Sequence, residues 1–252
     1  CDKKGKTLFG LFKALKVSIE KRTQLRDILG TTEKYDKVVL NTKVELPPEY
    51  KLLYNLTKSD IHARHALAYL KKRGITPTDI LKYQIGYCEK GRYANKIIIP
   101  TYNVDGQLDY FVARSFEKEP SRKYDAPPSD KNIIGFENMI NWNIPIVLCE
   151  GAFDAIAIKR NAIPLFGKNI SKKLMQKLVT SEVKKVYLAL DKDAIKSTYK
   201  IAEQLLDAGK KIFVINLDDK DPADMGFALF TNKIQKSQEF TFSSLFNLKL
   251  SI

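Results

Sequence analysis

The chain has 252 residues, 44% of them hydrophobic, which is enough for one large domain or two small ones with a real core. Lys and Arg number 43 against 29 Asp and Glu, a formal net charge of +14; this favours a polyanionic partner, most often nucleic acid, over an ordinary lysine-coated surface. Cys1, Cys88 and Cys149 are too few for a disulfide framework, no apolar run approaches the roughly 18 residues that span a membrane, and no signal-peptide apolar region opens the chain, so a soluble intracellular protein is expected.

In chain order, Leu8, Phe9, Leu11, Phe12, Leu15 and Ile19 suggest an amphipathic helix near 7–20, with a short one at Leu25–Leu29. Residues 31–50 are polar, contain Pro47-Pro48, and read as a linker. A second unit starts near Tyr54. Ile61, Ala63, Ala66, Leu67, Tyr69 and Leu70 fit a helix that stops at Gly74. Thr76-Pro77-Thr78-Asp79 caps another short helix. Ile97–Tyr102 and Leu108–Ala113 are strand signals, and Asn103-Val104-Asp105-Gly106 between them reads as a hairpin turn. Lys123 and Tyr124 follow in a proline-rich loop.

From 145 the pattern alternates. Strands are expected at 145–149, 163–166, 185–190 and 211–217, and helices at 152–161, 171–179 and 194–208. Strands interleaved with helices imply right-handed crossovers and a parallel sheet, an α/β fold. Residues 228–252 read as a polar tail with a short helix and a flexible end.

Three apolar strands end in acids. Ile146–Cys149 leads into Glu150-Gly151-Ala152-Phe153-Asp154, Val186–Leu190 into Asp191-Lys192-Asp193, and Phe213–Leu217 into Asp218-Asp219-Lys220-Asp221-Pro222. The carboxyl ends of parallel strands share one edge, where ligands bind, so these carboxylates would converge in one cleft. Converging carboxylates repel one another, and a cation relieves that repulsion. One such Asp alone would more often cap the following helix; the joint occurrence at three ends points to a Mg²⁺ site that acts on phosphates. Lys168, after Gly167 at an expected helix N-terminus, is placed to contact a nucleotide phosphate, although that position favours anions by itself. His62 and His65 read as surface or helix-packing residues.

Glu150-Gly151-x-x-Asp154 followed about 40 residues later by Asp191-x-Asp193, with Ile163–Lys168 between them, resembles the TOPRIM fold of DnaG-type primases, topoisomerases and some nucleases. Tyr69–Ile75 with Ile85-Gly86-Tyr87 is similar to the opening of the primase RNA-polymerase domain. Lys96–Pro100, Asp105-Gly106, Phe111–Arg114, Lys123-Tyr124 and Ile134-Gly135-Phe136 continue that similarity, and Asp221-Pro222-Ala223-Asp224 resembles its third acidic motif. The chain departs from the family at Lys96, where Arg is usual, at Ile195, where Gly is usual, and at Ala223, which separates the last two acids.

The resemblance implies a DnaG-type primase catalytic core that makes short RNA primers on single-stranded DNA from ribonucleoside triphosphates. Its fold would be an α+β N-terminal subdomain plus a Rossmann-like TOPRIM subdomain. The implied divisions are 1–50 for the end of a zinc ribbon plus linker, 51–142 for the basic subdomain, 143–227 for TOPRIM and 228–252 for a tail. Glu150, Asp191 and Asp193 would be catalytic and hold Mg²⁺ or Mn²⁺ with Asp221 and Asp154, the latter as ligand or as support. Lys96, Arg114 and Lys123 would bind template or triphosphate in a basic groove. Cys1 would be the last ligand of a ribbon that binds Zn²⁺ only with an upstream module present, since a chain without a leading Met is expected to start inside a longer protein. A replicative helicase is the implied partner and the cytoplasm of a bacterium or phage-infected cell the implied location. Two other readings stay open: a TOPRIM nuclease, and an inactive single-strand-binding or helicase-loading module.

Overall fold

A five-stranded antiparallel sheet and a five-stranded, mainly parallel sheet share one hydrophobic core in the computed structural model, which describes residues 18, 21, 43–55, 60–217 and 221–250. The chain divides into two units, residues 1–42 and 43–252, and both sheets belong to the second. The helices expected near 7–20 and 25–29, and Cys1, lie outside the described residues.

The antiparallel sheet runs in the order β1-β2-β3-β4-β5. Its strands are β1 (Tyr50–Leu52), β2 (Gly86–Cys88), β3 (Lys96–Tyr102), β4 (Leu108–Ser115) and β5 (Tyr124–Asp125). The β3–β4 hairpin forms where Asn103–Gly106 predicts it, with Gly106 at φ 74°. Two helices precede the hairpin. Helix α1 (Ile61–Lys72) starts on the Asp60 side chain, which accepts from Ala63 N at 2.9 Å, and stops at Gly74, where φ is 72°. Helix α2 (Pro77–Lys82) has the full capping box between Thr76 and Asp79, with Pro at its first turn. The short strands β1, β2 and β5 carry too little alternation to be read in sequence; pairing to β3 and β4 makes them strands.

The second sheet runs β10-β9-β8-β6-β7. Its strands are β6 (Ile146–Cys149), β7 (Ala162–Pro164), β8 (Lys185–Ala189), β9 (Lys211–Val214) and β10 (Glu239–Phe240). The first four are parallel and β10 is antiparallel to β9. Helices α3 (Ala152–Ile158), α4 (Lys172–Thr180) and α5 (Ile195–Asp207) make the crossovers. Along β6, Val147 and Cys149 face the core shared with α1, α2 and the antiparallel sheet. Ile146 and Leu148 face a second core with α4 and α5. A fully apolar strand is therefore used on both faces, as a buried parallel strand requires.

The chain after Asp221 is more ordered than its polar composition suggests. Helix α6 (Pro222–Lys236) runs through the point where a tail was expected to start. It kinks at Gly226 (φ 73°) and buries Phe230 completely. Strand β10 then extends the sheet, with Phe240 stacked on Tyr199 of α5 at 5.9 Å, and α7 (Phe242–Leu250) follows. Two-residue pairing and ring stacking are tertiary events with no periodic signature in the sequence.

The two layers are joined at Ile134-Gly135-Phe136. Phe136 N donates to Thr101 Oγ1 of β3 at 2.6 Å, while a Cβ on Gly135 would stand 2.7 Å from the Pro164 carbonyl oxygen of β7. Only glycine lets this segment lie so close to the parallel sheet. Among the described residues, no helix is long and apolar enough to cross a membrane.

Candidate metal centre and the groove beside it

Glu150 and Asp191 follow adjacent parallel strands, because β6 pairs with β8 in the register Cys149 to Ala189. Their carboxylates, with that of Asp193 in the short 3-10 turn after β8, offer oxygens that all lie within 4.8 Å of one another. The Asp191 backbone N–H donates to Glu150 Oε1 at 3.1 Å, tying the two strand ends together. Burial and the neighbouring Asp191 raise the Glu150 pKa. Burial, then Asp221 and Asp193, do the same for Asp191. These carboxyls are held where their charged forms are costly, and an all-oxygen donor set of this kind suits a hard divalent cation.

Asp154 takes a different part. On the first turn of α3, its Oδ2 accepts from Gly151 N at 3.0 Å and its Oδ1 from Ala223 N at 3.3 Å. It joins the turn after β6 to the start of α6. Burial and Asp221 push its pKa up to about 7. Asp221 caps α6, accepting from Asp224 N at 2.7 Å. Both line the same cavity of about 500 Å³ as Glu150 and Asp191, but neither belongs to the close trio. Asp224 lines a separate, basic groove.

Lys168 sits in the loop between β7 and α4, not at a helix terminus: the cap of α4 is Ser171. Its Nζ lies 2.5 Å from Asp193 Oδ2, and this bond to Asp193 raises its pKa. With side chains 46% and 70% exposed, the pair is held loosely and is open to exchange with an incoming anion.

The basic groove is lined by Lys72, Arg73, Arg114, Lys118 and Lys123, with Tyr69 among them. It brings together Arg114 and Lys123 of the expected set but not Lys96. Lys96 starts β3, and its Nζ is turned to the Arg92 carbonyl at 3.5 Å. Arg114, only 6% exposed, is packed 4.3 Å above the Tyr124 ring. Tyr124 lines the acidic cavity, so the groove and the cleft share a wall. Of the tyrosines near the cleft that could stack bases, Tyr110 is buried against Phe166 and Tyr102 donates to Gln84, whereas Tyr124 is 48% exposed. Sequence reading singled out neither Lys118, which adds charge to the groove, nor Phe166, whose φ of 53° turns the β7–α4 loop into the cleft. Tyr69 reads there as part of the apolar helix face, and Arg73, with Lys71 and Lys72, as a basic run that could serve the groove or simply offset the helix dipole.

The chain matches the Toprim-like family model over residues 147–225, which contain Glu150, Asp154, Asp191, Asp193 and Asp221. It has the fold of the DnaG primase catalytic domain solved bound to single-stranded DNA (TM-score 0.62, 18% identity, 76% of this chain and 77% of that one). The Escherichia coli primase catalytic core matches equally well (TM-score 0.62, 17% identity, 76% and 78%). A DNA primase of Thermotoga maritima is 24% identical over 65% of this chain, which spans 37% of that protein's length. The chain thus has the fold of the DnaG primase catalytic core, with a Toprim-like region at residues 147–225. The chain belongs to the family of the mycoplasma protein MG010. It is 32% identical to the Mycoplasma genitalium protein (57% of this chain, 68% of that one) and 31% identical to its Mycoplasma pneumoniae homologue (71% and 86%).

Proposed function

We propose that this chain is a primase core, joining ribonucleoside triphosphates into short RNA on single-stranded DNA. The observation that carries this is the trio Glu150, Asp191 and Asp193, gathered within 4.8 Å at the carboxyl edge of a parallel sheet, beside a lysine- and arginine-lined groove. An isolated binding module has no use for carboxylates held at an energetic cost.

In this reading Glu150, Asp191 and Asp193 hold Mg²⁺ or Mn²⁺, and Asp221 flanks them. A divalent cation bound there supplies charge that favours an ionised 3′-hydroxyl and offsets the charge on departing pyrophosphate. Asp154 holds the Gly151 turn and the start of α6 in place, so that Glu150 and Asp221 face one cavity. Lys168 exchanges its bond to Asp193 for a triphosphate oxygen. Arg114 and Lys123 hold the template through its phosphates. Zinc at Cys1 and a replicative helicase belong to the same reading, through segments and partners beyond this core.

The test is incubation with labelled ribonucleotides, single-stranded DNA and Mg²⁺ or Mn²⁺, with Glu150→Gln in parallel. Short RNA that disappears in the variant is the expected result. Template degradation without RNA would replace this reading by that of a nuclease.

A further inference from the structure

One hydroxyl between the groove and the cleft holds two arginines. Tyr69, on α1, accepts Nε–H of Arg73 at 3.0 Å and Nε–H of Arg114 at 2.9 Å. Arg73 lies 5.5 Å from the centre of the Tyr69 ring and 5.2 Å from that of Phe153, which follows Ala152 in α3. Arg114 lies 6.0 Å from the centre of the Tyr69 ring and 4.3 Å from that of Tyr124. The result is a chain of contacts in the order Phe153, Arg73, Tyr69, Arg114, Tyr124, in which the Tyr69 and Phe153 rings themselves meet edge to face at 81°. Its two ends line the acidic cavity, while its middle three members line the basic groove.

Two guanidinium groups converging on one oxygen repel each other, so this is not an arrangement that charge alone would choose. A tyrosine hydroxyl has two acceptor sites and one donor. With both acceptor sites engaged by Nε–H, its remaining capacity is the O–H. Each guanidinium, held at Nε, keeps its Nη donors, and Nη donors grip a phosphate in the paired geometry for which arginine is suited. Packing on the Tyr124 ring at 4.3 Å further holds the Arg114 group in place.

We propose that Tyr69 is a positioning residue that orients Arg73 and Arg114 into one clamp for a backbone phosphate of single-stranded nucleic acid, at the point where the strand passes from the groove to the metal ligands. The clamp deepens the reading of the groove as a template site and rests on it. It does not require that the chemistry be RNA synthesis.

Tyr69→Phe tests it, because the ring, its stacking and its contact with Phe153 remain while both acceptor sites are lost. Binding of a fluorescent mixed-sequence single-stranded DNA to the full chain is followed by anisotropy against salt, without divalent cation. The expected result is affinity weakened about fivefold and a salt slope shallower by about 0.7, one single-strand phosphate contact. Mn²⁺ affinity should be unchanged, while thermal stability should fall modestly because the buried Arg114 loses a bond. Arg114→Ala should weaken binding alone, and adding Tyr69→Phe to it should cost much less than Tyr69→Phe costs alone. Wild-type affinity and slope in Tyr69→Phe, or losses that add fully in the double variant, would overturn the clamp. So would a fall in Mn²⁺ affinity matching the fall in DNA affinity, the mark of a merely structural role. If the wild type binds DNA with this dependence on Tyr69 but makes no RNA, the clamp stands and the primase reading fails.

Discussion

The two sheets divide the chemistry, and they hold their charges in opposite ways. The parallel sheet presents like-charged carboxylates at strand ends, where burial and mutual repulsion raise the pKa of Glu150 and Asp191. Its few internal ties are the Asp191 N–H to Glu150 and the exposed Lys168–Asp193 pair. The antiparallel sheet and the end of α1 present like-charged arginines, Arg114 and Arg73, but each is bonded to Tyr69 and lies against aromatic rings. Carboxylates at a cation site need an outside charge to complete them, whereas guanidinium groups can be ordered in advance by neutral neighbours. The acidic side is therefore the side that should respond to metal, and the basic side the one that should respond to loss of a hydroxyl.

The largest effect should come from breaking the acidic side. Glu150→Gln is expected to lower RNA synthesis at least a thousandfold, yet to be as stable as wild type without cation, since it removes a repelling charge. Residual synthesis within tenfold of wild type in a primer-extension assay would contradict the comparison. Mg²⁺ or Mn²⁺ should raise the melting temperature of the wild type by a few degrees, as ligand binding to the native state alone requires, and should fail to do so in Asp191→Asn. Equal shifts by calorimetry would place the cation elsewhere.

The junction between the sheets should be next in size. Gly135→Ala puts a methyl 2.7 Å from the Pro164 carbonyl oxygen and should cost about 2–3 kcal/mol of stability in urea unfolding. If it is tolerated without loss, the two sheets are not locked together there. On the basic side, Lys123→Ala should leave stability unchanged, because Lys123 is exposed, and reduce single-stranded DNA affinity by about fivefold at low salt. An unaltered salt slope would remove Lys123 from the groove.

A smaller effect concerns Asp109 on β4. Its two carboxyl oxygens are buried without a hydrogen-bond partner among the described residues, and burial pushes its pKa up to about 6. The folded state thus holds this proton more tightly than the unfolded chain. Its contribution is favourable below the ordinary carboxylate range and is lost as pH rises from about 4 through about 6. Asp109→Asn should stabilise the protein by about 1 kcal/mol at pH 7–8 and flatten the pH dependence of stability between 4 and 6. A variant no more stable than wild type at pH 8 would show that Lys173 and Glu137, the nearby charges, already balance it.

Much of this was legible in the residues themselves. Apolar runs ending in acids sufficed for the parallel strands and for the gathering of Glu150, Asp191 and Asp193, because strand direction puts those ends on one edge. Gly74, Gly106 and the Thr76–Asp79 box marked their turns and caps, since these are local events written in a few neighbouring residues. Only the tertiary structure decided the rest. It made strands of Tyr50–Leu52, Tyr124–Asp125 and Glu239–Phe240, which are too short to carry a period. It set Asp154 to bracing Gly151 and Ala223, and left Lys96 outside the groove. It also brought Arg114 to Tyr69, 45 residues away. No local pattern encodes which hydroxyl a guanidinium reaches; that depends on where a core shared across the whole unit sets α1 relative to β4.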